Sequence, residues 1–371
     1  MSRILLSLAA FVLTLTSAQA SVVINETNFP DENLRNCASE YDEDGNGTLS
    51  DAELATITSI NAGGILNLKG AEHFTNLEEL HLWGYSEEES IRQIDPSMFP
   101  KLYRFTLGDC NGVTTLDFSK NTMFETIELS RCSNVQALSL PTSVKEIQLF
   151  GAPKLTALDV SRLPNLIGLW LQHTGITDLD FSNHPAIQLV SIQGEEDAVD
   201  KMNSLNLQNC ATLENVDIRY TTIKSLSMKH LPIVRTLMML NNDITTITID
   251  DCEEFNDITC DHNVLGTLSL TNNPQLRAVN CEDNRLQVLI ADNCPVLGQV
   301  QVFNNRLMWL DLKDVVKGNV DESILKLDNQ QPTVQAVKLS PTETGLRVHN
   351  RLDVGRVLNL RAKGIAQTPK E

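Results

Sequence analysis

From Thr212 to Val316 the chain repeats one phrase every 21 residues, five times without a gap: TLENVDIRYTTIKSLSMKHLP, IVRTLMMLNNDITTITIDDCE, EFNDITCDHNVLGTLSLTNNP, QLRAVNCEDNRLQVLIADNCP and VLGQVQVFNNRLMWLDLKDVV. Apolar residues fall at positions 2, 5, 7, 12, 15 and 17 of every phrase. A chain built this way does not close one globular core, because each unit carries an apolar stripe that only its neighbours cover. Positions 5 and 7 flank a polar residue, as in Val279, Asn280 and Cys281, and positions 15 and 17 follow suit. That is the period of a strand with one buried face. The seven residues between the two strands are too few for a helix of ordinary length. Each unit therefore reads as a coil with a strand on both sides, and stacked coils give two parallel sheets around a thin aliphatic core.

Degenerate copies begin at Asn76, Lys101, Met123, Ser143, Asn165 and Ala186, which makes eleven units up to Val316. The units from Asn76 and Ala186 carry acidic insertions, at Ser86 to Ser90 and Glu195 to Lys201, expected as loops. Asn242, Asn263, Asn284 and Asn305 share position 10, just past the first strand. An amide there both donates and accepts, so a stack of them can satisfy turn backbone groups on adjacent coils. Read as LxxLxLxxNxLxxLxL in Leu276 to Ala291 and Leu297 to Leu312, the phrase is a leucine-rich repeat. It resembles the bacterial 21-residue repeats called IRREKO, which have internalin-like proteins among their relatives, over about two thirds of the chain. The resemblance implies an exported or surface-attached binding module.

Four segments follow. Residues 1–20, with Arg3, an apolar run from Ile4 to Leu15 and the small-residue ending SAQA, read as a signal peptide. Residues 21–75 form an N-terminal cap, 76–316 the solenoid of about eleven coils, and 317–371 a short β C-terminal cap and tail. In the last segment VQAVKL, GLRVH and RVLNLRA read as strands, and Gln367 to Glu371 as a tail. No stretch after residue 20 approaches the roughly 20 apolar residues of a spanning helix, so the sequence predicts no transmembrane segment. Secretion, cell-surface attachment and the periplasm are the destinations this leaves. The formal charge of -19 argues against nucleic acid, since an acidic surface repels phosphate.

Residues 42–53, DEDGNGTLSDAE, match the EF-hand pattern D-x-[DN]-x-[DN]-G followed by five residues and Glu. Calcium takes several oxygens at loose spacing. Asp42, Asp44 and Asn46 offer side-chain oxygens, Thr48 a backbone carbonyl, Ser50 a hydroxyl or bridging water, and Glu53 a bidentate carboxylate. An incoming helix is expected over Asp31 to Tyr41, with Leu34, Cys37, Ala38 and Tyr41 on one face, and a short outgoing helix from Asp51 to about Ile57. A single loop without a pairing partner suits a structural ion better than a sensor. FPDENLR ahead of this loop resembles the N-terminal cap of similar bacterial repeat proteins.

Eight cysteines in an exported chain invite disulfides, but their repeat positions suggest other roles. Cys260 and Cys281, both at position 7, read as small buried hydrophobes. Cys252 and Cys294 lie two coils apart, about 9.5 Å at strand spacing, and so cannot pair. Cys110 and Cys132 share position 10 in adjacent coils, where a bridge is open geometrically and thiols replacing the asparagines are preferred.

Side chains at positions 6 and 8 leave the core and line the outer face of the first sheet. There Trp83, Phe150, Trp170 and Phe303 join Asp217, Arg219, Asp261 and Glu282 as candidate ligand-binding residues. Exposed aromatics on a rigid sheet are typical binding hot spots. The chain holds no HExxH, GxSxG, P-loop or dinucleotide fingerprint, and its seven histidines are scattered, so no catalytic residues are assigned. The sequence thus predicts an exported, monomeric, non-enzymatic solenoid that binds a protein ligand, with a calcium-stabilised cap. Glycan binding or a purely structural surface role are the alternatives.

Overall fold

A computed structural model describes residues 21–85 and 90–307, with the backbone of four later strands, Trp309–Leu312, Leu325–Lys326, Ala336–Leu339 and Asn359–Leu360. The chain is a leucine-rich-repeat solenoid. One broad sheet of 13 parallel strands runs from Ser59–Gly63 through Glu79–Trp83 and onward to Leu325–Lys326, each coil adding one strand to the last. Register never slips: Ile60, Leu80, Phe105, Ile127, Ile147, Leu169, Val190, Val216 and Leu237 stand level across nine strands. All nine are buried, because each fills position 5 or its equivalent and faces the core.

The opposite side is less regular. A continuous parallel sheet of seven strands starts only at Ser225–Lys229, inside the first of the five consecutive 21-residue units. Earlier, that side consists of two-stranded patches, Thr115–Asp117 with Ala137–Ser139 and Asp178–Asp180 with Ser204–Asn206, and of 3-10 turns at Ala71–His73, Pro96–Met98 and Val160–Arg162. The coils from Asn76 to Cys210 vary in length, and a coil of the wrong length cannot place both strands in register. The broad sheet keeps its register, so the mismatch falls on the second side. Pro96 enforces this in one coil, since it lacks a ladder donor.

Two chains of buried side-chain hydrogen bonds hold the turns. At position 10, Asn263 donates through Nδ2 to the carbonyls of Met239 (2.6 Å) and Cys260 (3.0 Å), and its Oδ1 accepts from the Ile244 amide (3.2 Å). Asn242, Asn284 and Asn305 likewise reach Ile218, Cys260 and Cys281, in each case the position-7 carbonyl of the coil before. Cys132 substitutes a thiol, donating to the Leu107 carbonyl at 3.2 Å. The penultimate position of the unit does the same at the other turn. There Cys210, Cys252, Asn273 and Cys294 reach the carbonyls of Phe181, Met228, Ile249 and Leu270. His184 does so with its ring, Nε2 on the Leu163 carbonyl and Nδ1 facing the Ile187 amide.

Immediately before each of these positions the backbone turns left-handed. Asp109, Arg131, Gly151, His173, Tyr220, Asn241, His262, Asp283 and Asn304 have positive φ at position 9, and Asn183, Asn209, His230, Asp251, Asn272 and Asn293 have it at the other turn. Asn and Asp tolerate this conformation best among side-chain-bearing residues. Tyr220 and Arg131 do not share that advantage and are held there by the coils on either side.

The cysteines require one correction. Cys260 and Cys281 are not merely small hydrophobes but form a disulfide between adjacent coils. Equal positions on neighbouring parallel strands put their Cα atoms 4.7 Å apart, within disulfide range, which the reading of position 7 as purely apolar overlooks. Cys110, Cys132, Cys252 and Cys294 are free and buried. Burial pushes the Cys110 and Cys132 thiols up to about 12 and about 11, so both stay protonated, and Cys132 remains able to donate.

The segment ahead of the first coil packs against it. Its helix Glu32–Ser39 starts at Asp31, whose Oδ1 caps the Leu34 amide while Oδ2 accepts from Leu66 and Asn67 of the first coil. Leu34 and Ala38 are buried, and Phe29 stacks on Phe74 with ring centroids 5.9 Å apart. The Tyr41 hydroxyl donates to the Ser59 carbonyl on the edge strand. The expected signal peptide, the GLRVH segment and the C-terminal tail lie outside the described residues. Of the expected C-terminal strands, Ala336–Leu339 and Asn359–Leu360 extend the second sheet.

If the position-10 ladder carries the turns, Asn263→Ala leaves the Ile244 amide and the Met239 carbonyl without their side-chain partner, while the Cys260 carbonyl keeps Asn284. Urea denaturation should then show a loss of about 3 kcal/mol, since each orphaned buried group costs roughly 1–3 kcal/mol. The exposed Asn203→Ala should stay within about 0.5 kcal/mol.

Candidate functional surfaces

The 42–53 segment is a tight acidic loop. Gly45 and Gly47 have φ of 67° and 80°, which lets six residues turn back on themselves. Ser21–Val23 pairs antiparallel with Thr48–Ser50 and closes the loop from outside. The outgoing helix, Asp51–Thr56, begins with a capping box: Ser50 Oγ accepts from the Glu53 amide, and Glu53 Oε2 accepts from the Ser50 amide at 2.8 Å. Glu53 Oε1 accepts from the Glu43 amide, tying the last residue of the loop to its second. The Ser50 amide and then its hydroxyl hold the Glu53 carboxyl below its ordinary value. Asp42, Asp44 and Glu53 each bring a carboxylate oxygen within 4.8 Å of the others. Three convergent hard oxygens, with Asn46 beside them and glycines at the two turns, fit a calcium ion.

On the broad sheet every candidate aromatic is half-buried, not free. The Trp83 ring fills the space a side chain at Gly108 of the next strand would need, and its Nε1 donates to Asn61 Oδ1 at 3.1 Å. The Trp170 ring fills the corresponding space over Gly168. Trp170 stands level with Gln148 and Ser191, and Phe150 with Gln172, so the two aromatics sit diagonally in adjacent rows. Across the outward positions of Glu146–Phe150, Gly168–Gln172 and Leu189–Gln193, Glu146 is the one ionisable side chain. This patch is nearly neutral in a chain of net charge -19.

The remaining candidates fall elsewhere. Asp217 and Arg219 pair with each other at 2.7 Å, and Gln193 donates to Asp217. Asp261 accepts from the Glu282 amide at 2.8 Å, and burial raises its carboxyl above the usual range. Phe303 lies ten strands from Trp83 along the sheet, about 48 Å at ~4.8 Å per strand. The eight residues therefore form separate groups, with Phe150 and Trp170 at the centre of the neutral one.

A further cluster, unmarked by any sequence motif, sits at the rim beside this patch. The acidic insertion after Gln193 folds back, with Glu195 bridged to Ala198 and Asp200 to Thr221. Asp200 is 7% exposed and accepts from the His173 amide at 2.9 Å, with the imidazole Nδ1 3.7 Å away. Glu195 lies 3.3 Å from His173 Nε2 and accepts from Gln172. Burial pushes the Asp200 carboxyl up to about 6, against the lowering effect of His173 and the local amides. The only hint in the sequence is that the insertion carries an acid near a turn histidine.

No protein-family model matches the chain, and no curated protein matches it. Among solved structures it is similar to the functional domain of InlJ from Listeria monocytogenes, which includes a cysteine ladder, at 17% identity over 81% of this chain and 79% of that one, with a TM-score of 0.42. It is similar to the internalin InlF of Listeria monocytogenes at 16% identity over 88% and 93%, with a TM-score of 0.49. A chain of the Drosophila Toll–Spatzle complex gives 16% identity over 72% and 39%, with a TM-score of 0.49. Nothing about function passes to this chain at such values. Among the described residues no helix is long and apolar enough to cross a membrane.

Asp200 makes a signed prediction. Its folded pKa of about 6 exceeds the ordinary value of 3.8, so the native state holds the proton more tightly. Stability falls as pH rises between these values, and the full penalty persists above about 6. Asp200→Asn, whose carbonyl still accepts from His173, should melt higher than wild type at pH 7, with the difference vanishing at pH 3.5. Thermal melts across that range check it.

Proposed function

We propose that this chain is an exported, monomeric, non-enzymatic binding module of the bacterial 21-residue repeat class, which engages a protein ligand through the outward face of its broad sheet. The observation that carries this reading is the neutral patch around Phe150 and Trp170. Protein interfaces concentrate their energy in a few aromatic anchors whose surroundings are depleted of charge. Both rings stand on a sheet whose register never slips, and Trp170 is held over Gly168, so little side-chain entropy is lost on binding. Captured surface proteins from a neighbouring cell, bound by the wild type and lost in Phe150→Ala/Trp170→Ala, would support it. Equal capture by both proteins would refute the assignment of this face.

The cap is proposed to be EF-hand-like and to hold one structural calcium ion through Asp42, Asp44, Asn46, the Thr48 carbonyl, Ser50 and Glu53. An ion there would neutralise three clustered carboxylates and brace the loop that anchors Ser21–Val23. Calcium at about 1 mM, in the range of extracellular modules, should raise the melting temperature relative to chelator. Asp42→Ala should abolish the rise; an equal rise in that variant would locate the ion elsewhere.

A further inference from the structure

Beside the proposed protein-binding face, at the rim where the broad strands enter their first turn, a groove of about 660 Å³ crosses five successive coils. It runs from Tyr85 past Asp109, Asn111, Arg131 and Ser133 to His173. That is four coil spacings, about 19 Å at ~4.8 Å each. Asp109, Arg131 and His173 are left-handed position-9 residues, so the turn geometry that builds the coil also projects these side chains along one line. In the fourth coil position 9 is Gly151, which leaves the floor open there.

Four features define what such a groove can hold. First, its polar side chains are spaced by whole coils: Asp109 and Asn111, then Arg131 and Ser133, then His173 beyond the open coil of Gly151 and Pro153. An extended peptide presents like-facing side chains every two residues, roughly 6.6–6.8 Å, and falls out of step, whereas a chain of pyranose rings repeats close to the strand spacing. Second, the backbone offers no open ladder, because the amides of Gly84, Asp109 and Arg131 already donate to the carbonyls of Gly108, Ser130 and Phe150. Addition of a peptide strand is thereby blocked.

Third, Asp109 and Arg131 cancel each other's charge at the centre of the groove, while the acids Glu195 and Asp200 lie against His173 at its far end. Arg131 grips Asp109 through Nε and a terminal nitrogen, at 2.5 and 2.6 Å, yet its side chain remains 70% exposed. Asn111 Oδ1 accepts from the amide and hydroxyl of Ser133. Planar guanidinium, carboxylate and amide groups at this spacing are suited to neighbouring hydroxyls. Fourth, Tyr85 supplies a platform. Its ring occupies the space that side chains at Gly63 and Gly64 would fill, and the residue is 73% exposed, which leaves an aromatic surface for the apolar face of a sugar.

We propose that this groove is a glycan site for an uncharged, extended oligosaccharide, with one end stacked on Tyr85 and successive rings over successive coils. It is distinct from the sheet face and does not rest on the protein-ligand reading. The test is calorimetric titration of the full chain with cello-, xylo-, laminari-, manno- and maltohexaose, alongside hexasaccharides from heparin and polygalacturonate. The expected result is binding of at least one neutral hexasaccharide, weakened tenfold or more in Tyr85→Ala and in Arg131→Ala and unchanged in Trp170→Ala. Ser133→Glu, which adds a charge at the rim without removing a buried group, should weaken it equally if either alanine variant fails to fold. Three results would overturn the proposal: no neutral hexasaccharide binds, only charged ones bind, or binding survives the groove variants and disappears in Trp170→Ala.

Discussion

A coil two strands wide cannot bury its turns without supplying partners for the amides and carbonyls exposed there, and the rest of this molecule follows from how it does so. A left-handed residue swings the backbone inward, and the next side chain, an asparagine, thiol or imidazole, takes up a carbonyl of the preceding coil. An unpaired buried polar group costs about 1–3 kcal/mol, so two satisfied turns per coil outweigh most differences in aliphatic packing between coils. Asn, Cys and His can exchange at these positions because the carbonyl requires only a donor of suitable reach.

With the turns fixed, the two sides of the coil are free to differ. The broad sheet keeps register through units of unequal length, while the second side breaks into short patches and 3-10 turns until the unbroken run of five 21-residue units begins. Function is therefore better placed on the broad side, where a side chain's neighbours are set by register alone. Glycines on that face act together with aromatics: Trp83 over Gly108, Trp170 over Gly168 and Tyr85 over Gly63 and Gly64 each fill the gap a missing Cβ leaves. A ring seated in this way is both covered and positioned.

Much of this was legible in the sequence. The period gave the coil, the apolar positions gave the core, and the position-10 asparagines gave one ladder. The second ladder was not read, because its members, Asn273, His184 and three cysteines, share a location but no residue type. Cys260 and Cys281 were misread because position 7 was judged by hydrophobicity alone, although the distance argument applied to Cys110 and Cys132 holds equally for them. The irregular second side was hidden for a different reason: register depends on unit length, and a pattern of apolar residues tolerates an extra residue that a sheet does not. At the loop of residues 42–53 the motif gave the turn and its carboxylates, whereas the Asp200 cluster has no motif, being assembled from an insertion and a turn one coil away.

Both ladders point one way. Asn263 donates to the coil before it, and that same coil's Ile244 amide donates back to Asn263; Asn284 repeats this with Cys260 and Leu265, and Asn305 with Cys281 and Leu286. Each coil is thus completed by its successor, which gives the stack a polarity that its nearly symmetric sheets conceal. Removing a coil from the C-terminal end strips hydrogen bonds from a turn already buried beneath it, whereas removing one from the N-terminal end leaves a side chain that can turn to water. The two ends of the array therefore present different problems, and a helix-and-loop plug answers only the first of them to be made.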